Sequence, residues 1–178
     1  RYEDDVVCVN GLAPISERSK NVNFALLTQI TLTEPVTNTS AYGESIARLA
    51  TTIGGDRPVV QRLGDLRSGR RSTESRIERA QVEPTLKDVT PGDISMALPN
   101  RVVIGLQEAL EQLDEIMPGI ASNSTLLYAP EIKFYAGTIP VDGEMRTELD
   151  NLYVVGDGAG PTHDIVNASA TGMIAAEN

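Results

Sequence analysis

The residues best suited to chemistry lie near the end of the 178-residue sequence. There LYVVGDGAGPTHDIVNASATGMIAAEN carries a short apolar run into Gly156, Asp157, Gly158, Ala159 and Gly160, and a helical pattern begins at about Asp164. Small residues at such a bend let a ligand approach the backbone closely. A helix starting at Asp164, Ile165 and Val166 offers unpaired N–H groups and a partial positive charge, which suit an anionic or electron-rich ligand. Asp157, at the end of the apolar run, is placed to accept hydrogen bonds from hydroxyl groups. Ala168, Gly172 and Ala176 recur every four residues and make a smooth stripe for close packing. Together these features describe a cofactor cradle. The plainer reading of the same residues is a glycine turn, with Asp157 capping it.

Other residues offer weaker chemistry. His163 is the single histidine, and an imidazole titrates where proton transfer is useful. A lone loop histidine is more often solvated, so it is the one weak catalytic candidate. Between Arg57 and Arg79, seven arginines face only Asp65, Glu74 and Glu78, a local balance of +4 that leaves −14 for the rest. Such a segment could hold a phosphate, but a solvated loop offsetting the acidic remainder is the favoured reading. Cys8, inside VVCVN, reads as a small core residue rather than a redox thiol. Asn21, Asn23, Ser16 and Arg18 could line a substrate pocket, though nothing physical separates them from ordinary loop and strand-start residues.

Composition narrows the classes. There are 15 basic and 25 acidic residues, for a net charge of −10, which makes nucleic acid a poor partner. Hydrophobic residues make up 40 %, as in a globular domain rather than a disordered acidic chain. No apolar stretch approaches the roughly 18 residues of a membrane span. One cysteine and one histidine rule out a disulfide framework and any clustered Cys/His metal site, so no metal is expected. No signal-peptide layout opens the sequence, and a cytoplasmic location is expected.

The surrounding elements follow from periodicity. VVCVN, residues 6–10, reads as a strand. In NFALLTQITLT, residues 23–33, Phe24, Leu26, Ile30 and Leu32 share one parity and Gln29, Thr31 and Thr33 the other, which predicts a long strand with one buried face. Tyr42, Ile46, Leu49, Ala50 and Ile53 predict a helix over 40–53, capped by Ser40 and stopped by Gly54 and Gly55. Residues 57–94 lack periodicity and read as loops with one short helix. Val103, Leu106, Leu110, Leu113 and Met117 predict a second helix that opens at Leu98-Pro99 and ends at Pro118-Gly119. Strands are expected near 125–128, 132–141 and 152–155, then a final helix. The fold class is α+β: a mixed β-sheet from 6–10, 23–33 and 125–141, covered by the two helices.

Thr147, followed after eight residues by Gly156-Asp157, resembles the C-terminal FAD signature of two-dinucleotide-binding-domain flavoproteins. More narrowly, the sequence resembles the uncharacterised FAD-dependent, or NAD(FAD)-utilising, dehydrogenases. The similar stretches are NVNFALL from Asn21, VQRLGDLRSG from Val60, the helix between Leu98-Pro99 and Pro118-Gly119, residues 126–135, and 153–160. The resemblance implies that Asp157 binds the ribityl chain of FAD within a Gly156–Gly160 turn, and that Asp164, Ile165 and Val166 bring the helix N-terminus to the isoalloxazine ring, near which His163 would lie. It implies an oxidoreductase with hydride or electron transfer on the flavin, and NAD(P) as a further cofactor candidate. The family's G-x-G-x-x-G turn for the ADP half of FAD is missing from this sequence.

The chain is therefore expected to be a piece of a longer flavoprotein. Residues 1–146 would be an inserted, substrate-side domain, and 147–178 the terminal strand and helix of a Rossmann-like FAD domain whose βαβ unit lies elsewhere. Alone, it is expected to carry little FAD and to be inactive. Its last strand and helix, lacking their sheet, are expected to be mobile or to mediate self-association. The substrate is an unidentified small molecule. The alternative reading is a non-catalytic assembly or ligand-binding module on a relict flavoprotein fold.

Overall fold

A computed structural model describes residues 6–11, 19–133, 138–160 and 164–177. The chain forms two compact units, Arg1–Ile132 and Lys133–Asn178.

The first unit is α+β, with a small mixed sheet and covering helices. Helix α1, Thr39–Gly54, starts where the Asn38 side chain accepts a hydrogen bond from the Ala41 N–H at 2.9 Å. The cap is thus Asn38, not Ser40. Gly55 ends the helix in the left-handed conformation that glycine tolerates. Strand β1, Val59–Arg62, lies at the centre of the sheet. It pairs in parallel with β2, Thr90–Pro91, and antiparallel with β3, Leu126–Ala129, with Val60 opposite Tyr128. Helices α2, Leu63–Arg67, and α3, Glu74–Glu78, are single turns. After a 3₁₀ turn at Ile94–Met96 comes α4, Asn100–Ile116, close to its predicted span.

The core gathers Val59, Leu63, Leu66, Ile94, Val103, Leu110 and Ala129, with Leu26, Ile53, Leu98, Ala121 and Leu127 at its margin. Gly64 allows the close approach of α2 to the chain before β3: a Cβ there would sit 2.8 Å from that of Asn123.

The α+β class is the one the sequence predicts, but two of the three strands of the sheet lie elsewhere. Residues 6–10 and 23–33 form no strand. VVCVN spends its backbone on separate partners: Val7 N–H donates to Thr51 Oγ1 at 2.8 Å, and Val9 N–H to the Pro130 carbonyl at 2.8 Å. Two bonds to two elements do not make a ladder. Of 132–141, the described residues 132–133 and 138–141 are not strand. Only 125–128 meets its expectation, as β3.

The missing strands lie inside the segment read as loops, because a polar network makes them possible there. Asp65 is 0 % exposed, as are Gln61 and Ser72. The Asp65 carboxylate accepts from Ser72 Oγ at 2.8 Å and from Arg70 Nε at 2.8 Å. Ser72 Oγ accepts from the Arg62 N–H, which ties the end of β1 to the same loop. Gln61 donates to the Arg70 carbonyl and accepts from the Ile94 N–H, both at 2.9 Å. Burial works to raise the Asp65 pKa, but the Ser72 hydroxyl and the Arg70 guanidinium outweigh it and hold the carboxyl below its usual range.

Two outcomes follow for Asp65. Asp65→Ala removes a buried acceptor and leaves Ser72 and Arg70 without it, so the first unit should lose about 3–5 kcal/mol by urea denaturation. Asp65→Asn should lose less. A depressed folded-state pKa contributes stability above the unfolded value of about 3.9 and loses it as pH falls through the folded value. The wild-type urea midpoint should therefore drop below about pH 4 more steeply than that of Asp65→Asn.

Candidate functional site

The glycine bend belongs to the second unit. Asp142 Oδ1 accepts from the Glu144 and Arg146 N–H groups, each at 2.9 Å, and starts a tight reversal. Arg146 then bridges antiparallel to Tyr153, with Thr147 N–H donating to the Leu152 carbonyl and Val154 N–H to that of Met145. The predicted strand at 152–155 is thus an isolated bridge, because among the described residues it pairs only with this short return. Thr147 Oγ1 accepts from the Leu149 N–H at 3.1 Å, so the signature threonine holds the turn.

After Val155 the chain enters a 3₁₀ turn, Gly156–Ala159, and closes it with Gly160. Gly156 (φ 65°) and Gly160 (φ 87°) adopt conformations costly for other residues. A Cβ on Gly160 would also collide with the Thr138 side chain. Gly156 N–H donates to Thr171 Oγ1 at 2.8 Å, and that hydroxyl donates to the Ala168 carbonyl at 2.8 Å. The buried Thr171 thereby docks the turn on helix α5, Ile165–Glu177. Ile139 N–H donates to the Gly158 carbonyl at 3.0 Å.

The candidate ligand-binding residues separate into two sets. Gly156, Asp157, Gly158, Ala159 and Gly160 form one turn, in which Ala159 is buried and Asp157 exposed. Among the described residues the Asp157 side chain has no hydrogen-bond partner, so its carboxylate is open to accept hydroxyl groups. Asp164, Ile165 and Val166 open α5, with Ile165 85 % and Val166 77 % exposed. Here the structure adds a feature that sequence reasoning missed. Asp164 Oδ1 accepts from the Asn167 N–H at 2.8 Å and Oδ2 from Asn167 Nδ2 at 2.6 Å. The Asn167 backbone and side chain hold this carboxyl below its usual range, so Asp164 is an anionic cap on donors that a ligand would otherwise meet. An acidic residue three positions before an amide was the available signal. His163 lies outside the described residues, as do Ser16 and Arg18.

Six of the seven arginines of the segment make internal side-chain contacts, while the buried Arg62 Nε has no hydrogen-bond partner among the described residues. Arg57 pairs with Asp88 at 3.2 Å, and Arg67 with Glu111 at 3.3 Å while donating to the Ala121 carbonyl at 2.8 Å. Arg71 donates to the Pro91 carbonyl, Arg76 to that of Arg71 and Arg79 to that of Ser75. Asn21 donates to the Glu83 carbonyl at 2.7 Å and to Thr85 Oγ1 at 2.9 Å, pinning a loop rather than lining a pocket. Cys8 is half-buried, and that burial pushes its thiol up, away from the thiolate a redox role needs.

Two surface hollows are lined by residues other than those of the glycine turn. One, about 380 Å³, is lined by Arg146, Thr147, Leu149, Asp150, Asn151 and Tyr153. The other, about 450 Å³, lies over Val60, Ile77 and Val89 with Glu74, Glu78, Glu83 and Lys87 at its edge. No described cluster of His, Cys, Asp or Glu suits a metal ion, and no described helix is long and apolar enough to cross a membrane.

Residues 2–133 match the family described as FAD-dependent protein, C-terminal domain-like. The chain belongs to that family. The matched stretch coincides closely with the first unit, and the glycine turn lies beyond it. No curated protein matches the chain.

The docking of the turn is open to test. Thr171→Val leaves the Gly156 N–H without its acceptor, which should cost about 1–3 kcal/mol locally. Amide exchange at Gly156 and along α5 should accelerate accordingly. Exchange in α1 and α4 should not change.

Proposed function

We propose that this chain is part of an FAD-dependent oxidoreductase, in which residues 1–146 shape the substrate side and 147–178 contribute the ribityl-facing edge of the flavin site. The observation that carries this reading is the family membership of the first unit, joined in one chain to a glycine turn that holds an open carboxylate. The turn fits the proposed ligand in two respects. Its glycines keep side chains away from the bend, and Asp157 is exposed beside them with both carboxylate oxygens free among the described residues. A ribityl chain presents hydroxyl donors, and a carboxylate is the strongest neutral-pH acceptor for them.

When bound, the flavin supplies the hydride or electron chemistry, with NAD(P) as the candidate redox partner and a small molecule as substrate. The protein's own residues bind and orient. Asp157 holds the hydroxylated chain, and Thr171, through the Gly156 N–H, keeps the turn closed against α5. Asp164 sets a fixed negative charge at the start of α5, so the remaining first-turn donors, not a bare helix terminus, would face the ring. The exposed Leu152, Val155, Ile165 and Val166 support the reading that this segment completes a larger FAD domain, or pairs with another copy when that domain is missing. A cytoplasmic location accords with this chemistry.

The test is Asp157→Ala in the polypeptide that carries the complete flavin site. Loss of a charge-assisted hydrogen bond of about 1.5–3 kcal/mol should weaken FAD about ten- to a hundredfold in a flavin-fluorescence titration, with the urea midpoint unchanged. Unchanged FAD affinity with lowered stability would make Asp157 a turn residue alone and remove the ribityl assignment.

A further inference from the structure

The predicted strand at 23–33 has the pattern of a strand and no ladder. Among the described residues, no backbone group from Phe24 to Leu32 bonds to another backbone group. Leu26 packs at the margin of the core, and a Cβ on Gly105 of α4 would lie 3.8 Å from Thr28 Oγ1, so the segment rests against α4 and the core margin. Yet Phe24 is 47 %, Leu27 50 % and Ile30 43 % exposed. A segment with strand-like alternation whose backbone groups lack ladder partners is a template for another strand.

We propose that the occupant is a second copy of the same segment, paired antiparallel about a two-fold axis at Leu27. The charge pattern selects this partner. The chain carries a net charge of −10, which sets most of its surface against another copy, but no charged residue occurs between Lys20 and Glu34. These two opposite charges stand seven positions either side of Leu27. Antiparallel self-pairing therefore places Lys20 opposite the partner subunit's Glu34, and the reverse at the other end. The same register sets Phe24 opposite the partner subunit's Ile30 and Val22 opposite the partner subunit's Leu32. These are aromatic–aliphatic and aliphatic pairs on one face of the new ladder. The present link of Lys20, to Glu83 at 3.9 Å between exposed side chains, is weak enough to exchange. None of the Lys, Pro or inward charges that guard natural edges interrupts the stretch.

The test uses the whole chain in sedimentation equilibrium, followed by cross-linking. The wild type should show a concentration-dependent dimer. Lys20→Glu and Glu34→Lys should each weaken it about tenfold, and the double variant should recover to within about threefold of wild type. In a Cys8→Ala background, Leu27→Cys should oxidise to a covalent dimer. Antiparallel opposite residues lie about 4.5–5.5 Å apart at Cα, within disulfide reach. Gln29→Cys, whose own copy lies four residues along the ladder, should not cross-link. A monomer at all concentrations, a double variant no better than the singles, or equal cross-linking at 27 and 29 would each overturn the proposal. A dimer that persists while Leu27→Cys stays reduced would assign the contact to another surface and overturn it as well.

Discussion

A carboxylate with no access to water organises the first unit. Asp65 remains charged in its interior only because Ser72 and Arg70 donate to it, and those donors stay in place only while the loop after α2 folds back on β1. Gln61 closes the same loop from the strand side and reaches on to the 3₁₀ turn that precedes α4. Four segments, β1, α2, the 70–72 loop and the 3₁₀ turn, thus share one set of hydrogen bonds. Leaving any member unpaired at this depth costs more than a surface contact returns. Val59, Leu63 and Ile94, from the same strand and turns, belong to the apolar cluster of the core.

That dependence explains what was legible in the sequence. Helices α1 and α4 announce themselves, because apolar residues at steps of three and four bury one face whatever lies opposite. The β-sheet does not. VVQR is buried along most of its length and shows no alternation, and it stands amid arginines and glycines that suggest loop. Its strand character comes from pairing with β2 and β3, and Ser72 and Gln61 brace the fold-back around it. The converse failure, at 23–33, has the same root. Alternation states which face prefers burial, but a strand exists only where a neighbour completes its hydrogen bonds.

At the glycine turn, residue types were the better guide. Gly156 and Gly160 adopt the backbone conformations that their identity permits, and Asp157 is left facing outward. Thr171 could not be singled out, since a threonine inside a helix usually bonds only to the preceding turn. Here its one oxygen serves that bond and the Gly156 N–H together. The Asp164 cap likewise changes what the start of α5 offers: directional donors remain, beside a fixed negative charge.

The arginine segment teaches a separate lesson about substitution. Arg67, Arg71, Arg76 and Arg79 reach backbone carbonyls with individual guanidinium nitrogens, and Arg70 aims Nε at a buried oxygen. What these positions select is a planar fork of several fixed donors, and positive charge alone does not provide it. Exchanging them for lysine would keep every electrostatic sum intact, from the local excess to the isoelectric point, while removing the directional contacts that brace the segment. Counted as charge, such a protein would be indistinguishable from this one. Its scaffold would be looser, and among related sequences arginine at these sites would be read as a requirement of shape.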